Sequence, residues 1–186
     1  AGSGVVITGC TANNNDRHGF NVTTGSSNVL LSSITAQGNG KVWEVGGSGI
    51  VVQTGNNEVR SWTDGVTILN ATVGNNGLAD DAQISIVQAA NVTIANVIES
   101  TLVPAGQDLI RLRGVDTANI TVTTNQEAKI DFNNYTQTFS EWGNGATYYR
   151  IMPFYNISIN SVMQAPSSET GTWNFDNSTG TRPSQE

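Results

Sequence analysis

Asn91-Val92-Thr93-Ile94 sets the reading of the whole chain, because a turn-forming residue followed by a short strand-forming run returns at Asn28-Val29-Leu30-Leu31, Gly65-Val66-Thr67-Ile68 and Asn119-Ile120-Thr121-Val122. Successive side chains of a strand point to opposite faces, so alternate residues of each run share one face. Between these runs lies a second series of apolar alternations, Phe20 and Val22, Ile50 and Val52, Ile84 and Ile86, Ile110 and Leu112, separated by 30, 34 and 26 residues. A unit of that size with at least two short strands cannot bury its apolar face alone. Stacking such units coil on coil buries it continuously.

An antiparallel β-sandwich has comparable strand density, and a propeller blade has a longer period of about 40–50 residues. Coils of uneven length favour the solenoid, so the expected fold is all-β, a right-handed parallel β-helix. Asn70 and Asn96 follow the second strand at the same offset, where stacked coils can align their amides into a hydrogen-bonded ladder, and Asn39-Gly40 and Asn76-Gly77 read as turns that close two coils.

Residues 1–130 are therefore read as β-helix coils. Beyond them the repeat fades, and residues 131–164 are read as a terminal coil and aromatic-rich cap with Phe139, Trp142, Tyr148, Tyr149, Phe154 and Tyr155, because a solenoid end would otherwise expose unpaired backbone and core. Asn156-Ile157-Ser158-Ile159-Asn160 reads as one further strand. The Ser/Thr/Gly/Pro-rich stretch 165–186 reads as an irregular tail that Trp173 and Phe175 pack back.

Composition fits one folded domain of 186 residues: 37% of the chain is hydrophobic and 12% charged, far from the signature of disorder. No run approaches the ~18 apolar residues of a membrane span, and Ala1 to Val6 carry no basic n-region, so a soluble chain is expected, with any targeting signal removed or never present. The net charge of −7 argues against nucleic acid, which is held by Lys and Arg. An acidic polysaccharide meets the same repulsion unless cations are gathered in a cleft. The single cysteine, Cys10, excludes an internal disulfide and reads as a buried small hydrophobe rather than a reactive thiol. Asn-x-Ser/Thr triplets at Asn21, Asn70, Asn91, Asn119, Asn134, Asn156 and Asn177 are the expected by-product of an Asn-Val-Thr repeat.

The chemistry concentrates in Asn14-Asn15-Asp16-Arg17-His18-Gly19-Phe20-Asn21-Val22, which holds the only histidine of the chain at a turn entering a strand. An imidazole moves protons near neutral pH and a guanidinium grips a carboxylate bidentately, a pairing suited to proton abstraction beside a uronate carboxylate. The plainer reading of the same residues is a turn-capping His18 and an exposed Asp16–Arg17 ion pair of little energetic consequence. Lys41, Trp43, Arg60 and Trp62 lie in two variable loops, Lys41-Val42-Trp43-Glu44-Val45 and Glu58-Val59-Arg60-Ser61-Trp62. They suit sugar subsites, because indoles stack on pyranose rings and cations bind uronates, and equally suit packing against the solenoid or a subunit contact.

The run from Asn14 to Asn21 resembles the NNDRHGFN stretch of bacterial mannuronan C5-epimerase catalytic modules, and the similarity continues through Gly38-Asn39-Gly40 and Gly49-Ile50-Val51-Val52-Gln53 and, weakly, to about Leu112. The resemblance, which extends to alginate-lyase relatives, implies a right-handed parallel β-helix of the pectate-lyase type acting on alginate. His18 would be a catalytic or transition-state-stabilising residue, with Asp16 and Arg17 lining the substrate groove. Three departures accompany it. The family's tyrosine and second histidine, in a YGFDPHE-like stretch of earlier coils, have no counterpart in this chain; Ser85 stands where the family carries a lysine; and Thr54 stands where it carries an arginine.

No cofactor is evident; the calcium-binding nonapeptide repeats and the EF-hand loop are absent, leaving calcium on scattered Asp and Asn open. Two functions are expected to compete. One is C5-epimerisation or β-elimination on a uronate polymer such as alginate, with this chain holding part of the active site and an N-terminal companion chain or a precursor supplying the rest. The other is a non-catalytic glycan-binding adhesin or phage tailspike segment, as a homotrimer. Both imply an acidic polysaccharide partner, no nucleic acid, no membrane, and a secreted or extracellular location at a cell surface or virion.

Overall fold

In the computed structural model the described residues are 2–42, 47–54, 63–77, 82–100, 108–113, 117–124, 130–133, 137–140, 147–150, 154–160 and 162–163. Three strands make each of the first four coils. They are β1 Val6–Thr8, β2 Thr11–Asn13 and β3 Phe20–Thr23; β4 Ser27–Ser32, β5 Thr35–Gln37 and β6 Ile50–Gln53; β7 Thr63–Leu69, β8 Thr72–Gly74 and β9 Ile84–Val87; β10 Ala89–Ala95, β11 Ile98–Glu99 and β12 Ile110–Arg113. The chain continues through β13 Thr117–Thr123 and β14 Ile130–Asn133, an antiparallel pair β15 Gln137–Ser140 and β16 Thr147–Arg150, then β17 Phe154–Ile159 and β18 Val162–Met163.

Each strand pairs in parallel with its counterpart one coil away, giving three sheets: β1-β4-β7-β10-β13-β17 with β18 antiparallel at its end, β11-β8-β5-β2, and β14-β12-β9-β6-β3. These contact-linked parallel sheets are those of a parallel β-helix and are consistent with a right-handed solenoid. The register is the one written in the repeat: Phe20, Ile50, Ile84 and Ile110 stand in one column, and Val29, Val66, Val92 and Ile120 in another. Asn156-Ile157-Ser158-Ile159 also pairs as expected, in β17, with Ile157 beside Ile120. The second strand of each coil, β2, β5, β8 and β11, is two or three residues long and has no counterpart among the repeats seen in the sequence.

The core is a set of aliphatic columns between the sheets, in which Leu31, Ile50, Ile68, Ile84, Ile86, Ile94, Ile110, Leu112 and Ile120 are fully buried. Branched side chains suit this place, because a pleated surface stacked at about 4.8 Å per rung packs like on like. Among the described residues no helix is long and apolar enough to cross a membrane.

Corners between strands need residues at positive φ, and they too form columns. Gly4, Asn28, Gly65, Asn91 and Asn119 occupy one, at φ of 69°, 51°, 64°, 53° and 52°. Gly9, Ser33, Asn70 and Asn96 occupy another. Asn and Gly tolerate the left-handed region best, which explains the asparagine-rich repeat. The expected ladder forms at these corners: Asn96 Nδ2 donates to Asn70 Oδ1 at 3.2 Å, and Asn119 Nδ2 donates to Asn91 Oδ1 at 3.0 Å.

Cys10, expected to be buried, is exposed, its thiol 3.4 Å from the Thr8 carbonyl. It does stand in an inward column, below Ile34, Ala71 and Val97, which are buried. Its exposure follows from its rung: among the described residues no coil stacks on its open side.

The Asn39-Gly40 and Asn76-Gly77 turns carry a second, buried ladder. Asn76 Oδ1 accepts from both the backbone N–H and Nδ2 of Asn39, at 3.0 and 2.9 Å, while Asn76 Nδ2 donates to the Ala36 carbonyl and Gln83 Oε1. Removing this amide orphans several buried groups at once, each costing about 1–3 kcal/mol. Asn76→Ala is expected to lower unfolding free energy by more than ~3 kcal/mol, whereas Asn96→Gly, which keeps the left-handed corner and loses one exposed bond, stays within ~0.5 kcal/mol. Urea titration of the two variants checks the contrast.

Candidate functional site

The Asn14–Asn21 segment joins β2 to β3, and its shape is set from the coil above. Asn15 donates from its backbone N–H and its Nδ2 to Asn39 Oδ1, at 3.1 and 2.7 Å, and Asn39 Nδ2 donates back to the Ala12 carbonyl at 2.8 Å. Asn14 sits at φ 60°. Gly19 lies directly under this ladder: a Cβ there would fall 2.8 Å from Asn39 Nδ2 and 2.6 Å from the Gly49 carbonyl. Half of the motif is therefore scaffold.

The other half projects. Asp16 and Arg17 are exposed, and His18 is half-buried. Asp16 and Arg17 do not form the ion pair of the plainer reading; the ion pair that forms among the described residues joins Arg111 Nη2 to Asp108 Oδ2 at 2.7 Å. His18 is gripped from the next coil, where the backbone N–H of Ser48 donates to its Nδ1 at 3.0 Å. The imidazole thus has a fixed face rather than a freely turning one.

Lys41 joins this group through the backbone. Gly40 N–H donates to the Asn15 carbonyl and Val42 N–H to the Asp16 carbonyl, at 3.0 and 3.2 Å, which sets exposed Lys41 one rung above Asp16 and Arg17. The chain leaves and re-enters the coil at Gly40 and Gly47, where the two backbones touch: a Cβ on Gly47 would lie 2.5 Å from the Arg17 carbonyl and 2.7 Å from Gly40 Cα. The structure therefore brings His18, Arg17, Asp16 and Lys41 to one edge. Trp43, Arg60 and Trp62 lie outside the described residues.

A polar strip runs on from His18 along the coils. Ser48 Oγ bonds Ser85 Oγ at 2.7 Å, both residues buried, and Arg111 stands in the column of Ser85, on the outer side of β12. Three rungs of about 4.8 Å put His18 and Arg111 roughly 14 Å apart along the solenoid. Ser48, Arg111 and Asp108 were not singled out in the sequence, although aligning Gln83-Ile84-Ser85-Ile86 with Leu109-Ile110-Arg111-Leu112 exposes Arg111 as an outward cation. Thr54, at the position of the family's arginine, is buried, and its hydroxyl donates to the Gln88 carbonyl at 2.5 Å. Thr54 and Ser85 thus serve packing here. Among the described residues no group of three or more His, Cys, Asp or Glu is placed to hold a metal ion.

Sequence comparison finds partial relatives. A stretch of 83 residues, 45% of this chain, is 37% identical to mannuronan C5-epimerase AlgE5 of Azotobacter vinelandii, of which it covers 7%. A stretch of 46 residues, 25% of the chain, is 48% identical to mannuronan C5-epimerase AlgE2 of the same organism, of which it covers 4%. The chain thus matches less than a tenth of the length of these curated relatives. No protein-family profile matches it, and no solved structure does.

The neck at Gly47 offers a local test. Gly47→Ala is expected to cost about 1–3 kcal/mol, because backbone rather than a movable side chain meets the added methyl. Amide resonances of Arg17 and His18 are expected to shift in that variant while those of β13 stay in place.

Proposed function

We propose that this chain is a carbohydrate-acting β-helix that binds an acidic, uronate-containing polysaccharide along its Asp16–His18 edge, as part of a C5-epimerase or a β-eliminating lyase. The observation that supports it most is the projection of Arg17, His18 and Lys41 from one rigid edge of a chain whose net charge is −7. Cations gathered on an otherwise acidic body are what a polyanion needs. Partial similarity to two mannuronan C5-epimerases agrees with that chemistry and suggests alginate as the polymer.

In this reading Arg17 and Lys41 engage uronate carboxylates. Neutralising the carboxylate makes the neighbouring C5 proton removable, because the charge that develops spreads into that group. His18 adds a polar contact from a fixed orientation. Ring inversion at C5 takes a proton from one face and returns one to the other, which needs two groups, and the chain contains one histidine. The second group comes, on this proposal, from a longer precursor or an associated chain. A second reading is a binding-only adhesin or tailspike segment, which needs the cationic edge but no second proton-transferring group.

Incubation with polymannuronate separates these. Ultraviolet absorbance from unsaturated ends means a lyase, new guluronate signals in proton NMR without that absorbance mean an epimerase, and binding with neither product means a binding module. For all three, Arg17→Ala and Lys41→Ala are each expected to weaken binding about 10-fold, near 1.4 kcal/mol. Affinity is expected to fall as salt rises, because local attraction is screened. An affinity that rises with salt would show that the −7 body, not the cationic edge, governs the encounter.

A further inference from the structure

We infer that a bound sugar chain crosses the first coil along β3 and is barred from running up the solenoid, because the outer face of the sheet β14-β12-β9-β6-β3 is closed to solvent over the second and third coils. The inference rests on the acidic-sugar reading for its ligand, but the closure stands on burial alone. Ile50 and Val52 of β6, like Ile84 and Ile86 of β9, belong to the core between the sheets. Strand alternation therefore turns Val51 and Ser85 to the outer face, in one column with Asn21 of β3 below and Arg111 of β12 above.

An outward column on a bare sheet stays wet. Thr67, Thr93 and Thr121 hold such a column on the neighbouring sheet, with a strand stacked on either side of each, and Thr67 is half-buried while Thr93 and Thr121 are exposed. Threonine has nearly the shape of valine, so these three show how much exposure stacking alone leaves. Val51 and Ser85 also lie between two strands, yet they are only 2% and 5% exposed. This stretch of the outer face is therefore covered. The Ser85 hydroxyl is occupied as well, bonded to Ser48 Oγ at 2.7 Å.

The column thus changes character from coil to coil. Asn21 is exposed, Val51 and Ser85 are closed off, and the Arg111 side chain beyond them is 14% exposed and paired with Asp108. A polymer climbing the column from Asn21 meets the wall at Val51 after one rung of about 4.8 Å. Open polar groups lie instead along the first coil. Asp16 and Arg17 are exposed, and Asn21 Oδ1 accepts from Gln53 Nε2 at 3.2 Å in an exposed bond. A sugar chain lying parallel to β3 passes Arg17 and Asn21 in turn, with its carboxylates toward the cation and its hydroxyls toward the amides. Arg111, although an outward cation on the same sheet, then falls outside the site.

Two measurements on the full chain test this. In methyl-resolved NMR of the ligand-free protein with a soluble paramagnetic agent, the Val51 methyls are expected to broaden as little as those of core Val52, and the Thr93 and Thr121 methyls strongly. Broadening of Val51 to the level of Thr93 overturns the closure. In calorimetry with mannuronate oligomers, Asn21→Ala is expected to weaken binding about 5-fold, the loss of one polar contact. Arg111→Ala is expected to leave the affinity unchanged, with its methyl spectrum showing that the variant is folded. Either a loss at Arg111→Ala as large as that at Arg17→Ala, or an unchanged affinity at Asn21→Ala, overturns the crosswise path. Absence of binding by the unsubstituted chain overturns the acidic-sugar reading and the path with it, while the Val51 methyls still decide the closure.

Discussion

The structure hangs on the amide ladder at the corner between the second and third strands of the first three coils. Coils of different length can stack only where some part of each is held to a common geometry, and here that part is the column Asn15, Asn39 and Asn76, closed by Gln83. Asn39 and Asn76 each accept from the backbone of the coil below and donate to a carbonyl there, so one side chain satisfies groups that a loop would otherwise have to expose to water. Aliphatic columns supply most of the burial energy, but they are permissive, since Val, Ile and Leu interchange along them. The amides fix the register.

That constraint explains why variable loops can be grafted onto the solenoid without disturbing it. The excursion after Gly40 closes at Gly47 by backbone contact, and the ladder continues on either side through Asn39 and Asn76. An edge built this way is stiff. Arg17 and His18 inherit their placement from Asn15, Gly19 and Ser48 rather than from their own packing, so functional side chains can remain half-exposed and still be oriented.

Much of this was legible in the sequence because a solenoid writes its register into periodicity. The columns through Phe20 and Val29, and the Asn70–Asn96 ladder, could be read from offsets alone. Strands β2, β5, β8 and β11 could not, since Thr-Ala-Asn or Ile-Glu is too short for alternation to be distinguished from chance. Cys10 went wrong for a different reason: its column is apolar and inward, but burial depends on a neighbour one coil below, which a local pattern does not reveal. Arg111 was missed because a single cation between two apolar residues reads as an ordinary outward position until stacking sets it above Ser85.

The same stacking changes the weight of the Asn14–Asn21 motif. Asn14 holds a left-handed corner, Asn15 joins the ladder, Gly19 clears Asn39, and Phe20 packs against the core. Any β-helix that turned this corner in this way would favour those residue types, so their likeness to the epimerase motif reports shared architecture. Asp16 and Arg17 do no comparable work, being exposed and unpaired with each other, and His18 requires only an acceptor to satisfy Ser48, which an asparagine side chain could supply. The residues of the motif that the fold itself does not call for are therefore Asp16, Arg17 and His18, and the proposed role rests on them. It is the chemistry of those three side chains, not the length of the match, that supports a uronate ligand.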